Sequence, residues 1–152
     1  MSSQLTRHRM EVRDWMTADP VTIQPDAPLA EAYKLMKENE VRRLPVVNRQ
    51  RELIGILTRS DLLQHVPFFP NDEELEEELP YINLSVEEAM SFDPISIEST
   101  DTVQDAAELM LEMKISGLPV AAGNRLVGII TESDIFRLVV AEWGEGDEGV
   151  KG

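Results

Sequence analysis

A chain of 152 residues, 42% hydrophobic and only 5% aromatic, is long enough for one core, or for two half-domains sharing one, with an aliphatic and methionine-rich interior. It has no cysteine, which removes disulfides, zinc-thiolate sites and cysteine nucleophiles, and its net charge of −15 speaks against nucleic acid as a partner. No apolar run approaches the roughly 18 residues of a membrane span, and Met1 to Arg9 has no apolar segment behind it, so the expected location is the cytoplasm, away from membranes.

In chain order, the first informative segment is Val12-Arg13-Asp14-Trp15-Met16-Thr17-Ala18-Asp19-Pro20-Val21-Thr22-Ile23. It recurs 74 residues later as Val86-Glu87-Glu88-Ala89-Met90-Ser91-Phe92-Asp93-Pro94-Ile95-Ser96-Ile97. Val21 and Ile23 alternate around Thr22 as a short strand does, and Asp26-Ala27-Pro28-Leu29 opens a helix with Asp26 or Ala27 near the cap and Pro28 in the first turn. Leu29, Ala32, Tyr33 and Met36 follow at i, i+3, i+4 and i+7, and Val103, Ala106, Ala107 and Met110 repeat that spacing, so two helices with equivalent buried faces are predicted.

Two short strands come next, Leu44 to Val47 and Leu53 to Leu57, returning as Leu118 to Ala121 and Leu126 to Ile130. A closing helix starts near Ser60 and again near Ser133. Between the copies, Asn71 is placed to cap an acidic helix that Pro80 stops, and the reading of that charge run is a solvated connector. Charge is distributed unevenly: residues 1–64 balance at +1 and residues 65–152 at −16, which makes the first copy the better host for an anionic ligand. The expected fold class is α+β, each copy running strand, helix, strand, strand, helix. Neither copy is expected to bury its apolar surface alone, so the two should pack face to face about a pseudo-twofold axis. The domain expectation is a first repeat over 10–66, an acidic connector over 67–83, a second repeat over 84–142, and a disordered Gly- and Glu-rich tail over 143–152.

The duplicated polar residues carry the chemistry. Thr58-Arg59-Ser60-Asp61 and Thr131-Glu132-Ser133-Asp134 each lie at a strand-to-helix junction. There, free backbone amides favour a phosphate, and a carboxylate one step into the helix suits the vicinal hydroxyls of a ribose. The competing reading is a capping box, with Thr as N-cap and Asp reaching back to its amide.

Met-Thr-x-x-Pro-Val-Thr-Ile, the Leu-Pro-Val strand and Gly-Ile-Leu-Thr-x-Ser-Asp, all in duplicate over about residues 10 to 142, resemble a tandem pair of cystathionine-β-synthase (CBS) domains, with a connector similar to stand-alone bacterial proteins of the AcuB type. The resemblance implies a regulatory pair that binds AMP, ADP, ATP or S-adenosylmethionine in two clefts between the repeats and signals to a protein partner, as a homodimer packed through its helices. By the same resemblance Asp61 and Asp134 hold ribose, Thr58 and Thr131 hold phosphate, and Arg42 and Arg43 supply cations. Of those two arginines, strand alternation favours Arg43.

Thr22, Ile23, Ser96 and Ile97 stand where the family's first strand meets adenine, and Pro45 and Pro119 of the Leu-Pro-Val strands complete the ligand-contacting positions; ordinary strand burial is the alternative for these residues. In the second copy Ser116-Gly117 replaces Arg42-Arg43, so a second site there is weaker, takes a less charged adenosyl ligand, or is empty.

Catalysis and metal binding are not expected. His8 and His65 are the only histidines and lie outside both motifs. Two functions remain: a sensor of adenosyl ligands, or a ligand-independent dimerisation and assembly module that recognises a protein partner.

Overall fold

The computed structural model describes residues 10–151, with side chains through residue 144. Two compact units divide the chain, one spanning Val21–Pro94 and the other combining residues 10–20 with 95–151, here called the composite unit. Each sequence repeat therefore gives its opening segment to the unit that holds the body of the other repeat.

In the composite unit, helix α1 (Val12–Trp15) leads into β1 (Thr17–Ala18). In the 21–94 unit follow α2 (Leu29–Glu38), β2 (Arg43–Val47), β3 (Leu53–Thr58), α3 (Arg59–Gln64), α4 (Asp72–Glu78), α5 (Val86–Ala89) and β4 (Ser91–Phe92). The composite unit resumes with β5 (Ile97–Glu98), α6 (Val103–Met113), β6 (Gly117–Ala122), β7 (Arg125–Thr131) and α7 (Glu132–Lys151).

The two sheets are equivalent. One has the order β1-β7-β6-β5 and the other β2-β3-β4, with Ile23 bridged in parallel to Val46 where β5 pairs with β6. The first predicted strand of the first copy is thus reduced to that bridge. β4 pairs antiparallel with β3 (Gly55↔Phe92) as β1 does with β7 (Ala18↔Gly128).

Glycine is required at both crossings because the chain passes too close for a side chain. A Cβ on Gly55 would lie 2.6 Å from Met90 Sδ and 2.9 Å from Ser91 O; one on Gly128 would lie 2.5 Å from Met16 Sδ and 2.8 Å from Thr17 O. The duplicated methionine and glycine are two sides of one contact.

The helix faces predicted from spacing are buried in both units, Ala107 alone being half-exposed. Helix α2 begins later than predicted, with Pro28 as N-cap and no side-chain cap, because the returning chain takes the cap's place: Leu29 N donates to Leu84 O (3.0 Å) and Val86 N to Ala27 O (2.8 Å). The composite unit repeats this with Val103 N to Met10 O (2.6 Å) and Val12 N to Asp101 O (2.8 Å).

Each unit has its own core. Leu29, Leu44, Leu57, Leu62, Leu75, Leu79 and Val86 centre the first, and Val12, Ile97, Leu118, Val120 and Ile130 the second. The borrowed segments explain it, since Val86 and Val12 are the residues that close each cluster.

The acidic connector is a helix capped by Asn71, whose Oδ1 accepts from Glu74 N (2.8 Å); Leu75 and Leu79 anchor it in the first core, and a 3-10 turn carries the chain through Pro80 to Tyr81. At the other end, α7 continues to Lys151 through the segment expected to be disordered. Propagating an anchored helix costs far less than starting one. No helix among the described residues is long and apolar enough to cross a membrane.

Candidate ligand-binding site

All seven positions singled out in the first copy fall in the 21–94 unit, on or beside β2 and β3 and at the start of α3. Ile23 N donates to Pro45 O (3.1 Å) and Val47 N to Ile23 O (3.0 Å), which ties Thr22 and Ile23 to the edge of β2. Across β2 and β3 the register sets Arg43 directly opposite Thr58 and Pro45 opposite Ile56. Directly opposed residues share a face, with Cβ atoms about 5 Å apart, so Arg43 stands beside Thr58. Arg42 is exposed and contributes its carbonyl, which accepts from Arg59 N (2.8 Å). Ile23 and Pro45 are buried and Thr22 is half-buried.

At the end of β3 the chain turns into α3, and the capping box forms. Asp61 N donates to Thr58 Oγ1 (3.0 Å) and Thr58 N to Asp61 Oδ2 (3.2 Å). Ser85–Glu88 and Thr102–Asp105 build the same box at other helix starts, outside the duplicated motif, so the box alone does not distinguish a binding site. What distinguishes Asp61 is its second oxygen. The residue is half-buried, and Oδ1 takes no hydrogen bond among the described residues.

A carboxylate has about four lone-pair directions and a hydroxyl one donor besides its acceptor sites. Capping therefore leaves Asp61 Oδ1 free to accept and the Thr58 hydroxyl proton free to donate.

Two further residues at this end of the unit escaped sequence reasoning. Arg59, inside the motif, pairs with Asp72 Oδ1 at 3.6 Å from the first turn of the acidic helix. Lys37 of α2 pairs with Glu76 of α4, and that hydrogen-bonded carboxylate raises the lysine's pKa. Lys37 and Glu76 border a groove of about 810 Å³ between α2 and α4, floored by Tyr33, Leu79 and Pro80.

In the composite unit the second set assembles the same way but ends differently. Ile97 pairs in parallel with Val120, and Ser96 beside it is exposed. Pro119 is buried opposite Ile129, and Thr131 faces Gly117, so no side chain stands where Arg43 stands in the first set. Thr131 N donates to Asp134 Oδ2 (2.8 Å), and the Thr131 hydroxyl lies 3.3 Å from the same oxygen. Asp134 is 4% exposed, and its Oδ1 is held by Arg137 Nη2. Arg137 is a third residue not foreseen, although Asp134-x-x-Arg137 against Asp61-x-x-Gln64 is visible in the sequence. Among the described residues no group of three or more His, Asp or Glu side chains is placed to hold a metal ion.

The family model of the CBS domain matches residues 12–67 and 86–141, most of the chain. The chain belongs to the CBS domain family. It is a tandem CBS pair, and solved CBS pairs share its fold. A protein of Vibrio cholerae assigned as acetoin utilization protein AcuB is 30% identical, with a TM-score of 0.74 over 91% of this chain and 96% of that one. CBSX2 of Arabidopsis thaliana, solved in complex with AMP, is 28% identical, with a TM-score of 0.72 over 86% and 96%. The CBS domain pair of protein MJ0100, solved with 5'-methylthioadenosine and S-adenosyl-L-methionine, is 28% identical, with a TM-score of 0.69 over 87% and 97%. The ligands of these two CBS pairs have adenosine in common.

Proposed function

We propose that this CBS pair is a cytoplasmic regulatory module that binds an adenosyl ligand at Thr58, Asp61 and Arg43 and passes its occupied state to a protein partner. The observation that carries the reading is the open Oδ1 of Asp61, beside a threonine hydroxyl and an arginine. In this assignment Oδ1 accepts the ribose hydroxyls while Oδ2 keeps the cap. The Thr58 hydroxyl donates to a phosphoryl oxygen, and Arg43, with Arg42 behind it, neutralises the phosphate. Thr22, Ile23 and Pro45 flank the base. Thr131, Asp134, Ser96, Ile97 and Pro119 are the corresponding residues of the second set. The module is non-enzymatic in this reading, since its chemistry is recognition of hydroxyls and phosphate.

The module is a homodimer in this proposal. Helix α7 exposes Phe136, Val140 and Trp143 on successive turns, and Leu111 of α6 is 79% exposed. In the 21–94 unit the matching helix α2 is flanked by the chain's own α4; on the composite unit a second copy takes that role. That apolar stripe also favours the second reading, a ligand-independent assembly module.

Thermal unfolding with AMP, ADP, ATP, NAD and S-adenosylmethionine separates the two. A ligand at a hundredfold excess over its Kd stabilises by about 2.7 kcal/mol, and the sensor reading predicts a rise in Tm with at least one of them. No rise with any of the five leaves the assembly reading.

A further inference from the structure

We propose that Arg137 closes the second set, holding the Asp134 oxygen that a ribose would need, so that each polypeptide takes one adenosyl ligand, at the first set. The inference rests on the adenosyl-binding reading above and adds a site count and the residue that sets it.

The two motif aspartates share the half of the cap in which the threonine amide donates to Oδ2, and they differ in what remains. Asp61 keeps Oδ1 open among the described residues. Asp134 is 4% exposed, with Oδ2 on the Thr131 amide and Oδ1 on the Arg137 guanidinium. A ribose hydroxyl approaching Asp134 has to displace a guanidinium whose positive charge pairs with the carboxylate, and the hydroxyl brings no charge of its own to replace it.

Arg137 is held from a second side as well. Nη2 lies 3.4 Å from Trp15 O at the end of α1, so the guanidinium joins the first turns of α7 to the segment borrowed from the other repeat. Swinging it away breaks both contacts.

Nothing in the second set compensates. Gly117 opposes Thr131 where Arg43 opposes Thr58, so an incoming phosphate finds no strand cation to offset the lost ion pair. In the first copy the position of Arg137 is Gln64, a neutral, exposed side chain that cannot compete for Asp61.

Calorimetric titration of the full chain with AMP tests the proposal. The wild type is expected to bind one AMP per polypeptide, with the heat lost in Asp61→Ala and kept in Asp134→Asn. Arg137→Gln, which copies Gln64, raises the stoichiometry to two, and adding Asp134→Asn returns it to one. Arg137→Lys keeps a cation and stays at one, which separates closure by charge from a packing effect on α1.

Two AMP per wild-type chain, loss of wild-type binding in Asp134→Asn, or one AMP per folded Arg137→Gln chain overturns the assignment. Should Arg137→Gln not fold, the first two outcomes still decide. Absence of any AMP heat in the wild type is a different failure, that of the adenosyl reading itself for AMP, and it removes this inference with it.

Discussion

Asp61→Ala weakens AMP binding at least tenfold, whereas Asp105→Ala leaves it unchanged. Both substitutions delete the acidic member of a capping box, Thr58–Asp61 in one case and Thr102–Asp105 in the other, and the amide geometry matches: Thr58 N to Asp61 Oδ2 is 3.2 Å and Thr102 N to Asp105 Oδ2 is 3.3 Å. Each variant therefore loses about 1 kcal/mol of stability from its helix start. Only Asp61 is assigned to a ligand. A hydrogen bond to a charged group contributes about 1.5–3 kcal/mol, hence roughly 10- to 150-fold in Kd. The check is a pair of AMP titrations, each on a variant shown by circular dichroism to be folded at the temperature used. Equal, small effects of the two variants would reduce Asp61 to a cap and leave the assembly module as the better description.

Gly128→Ala destabilises the composite unit by about 2 kcal/mol, toward the upper part of the usual cost of overpacking, because one of the atoms it meets is a backbone oxygen. The added Cβ would lie 2.5 Å from Met16 Sδ and 2.8 Å from Thr17 O. The methionine can move. The carbonyl belongs to β1, whose pairing with β7 at Thr17↔Ile129 and Ala18↔Gly128 is what secures the borrowed segment. For a chain of this size, a loss of 2 kcal/mol corresponds to a fall in Tm of roughly 4–8 °C. Met16→Ala combined with Gly128→Ala recovers part of that fall, the sulfur contact being relieved and the carbonyl contact not. Gly144→Ala is the control: a Cβ there meets nothing within 4 Å, and on a helix the substitution is neutral to stabilising. An unchanged Tm in Gly128→Ala would mean that the two segments are not in contact as described.

The same glycine marks where sequence reasoning stopped. The repeat is plain from residue identities, and the strands around Leu-Pro-Val and the buried faces of α2 and α6 follow from periods of two and 3.6. The exchange of opening segments does not follow. β1 and β4 are two residues each, too short for any period, and the sign of the exchange lies in a pairing of distant residues, Met16 with Gly128 and Met90 with Gly55, that only a fold reveals. Helix α2 starts late for the same reason: its cap is the chain returning at Leu84 and Val86, not a neighbour in sequence.

The candidate site was legible as a set and ambiguous in its chemistry. Thr and Asp three apart at a helix start offer the same atoms to a backbone amide and to a ligand, so spacing alone leaves both readings in place. The spare oxygen on Asp61 and the engaged one on Asp134 come from side-chain placement. The arginine that makes the difference was available as an i,i+3 partner of Asp134, and its role became visible once the carboxylate was seen to be buried.

The central claim is that the helix start at Thr58–Asp61 receives an adenosyl ligand, and residue-resolved amide shifts report on it most directly. Titrating AMP into the isotope-labelled chain is predicted to move the amides of Arg43, Thr58 and Asp61 most, with the Thr102–Asp105 helix start unmoved. AMP-saturable shifts that leave Thr58 and Asp61 in place, or equal shifts at both helix starts, would contradict it.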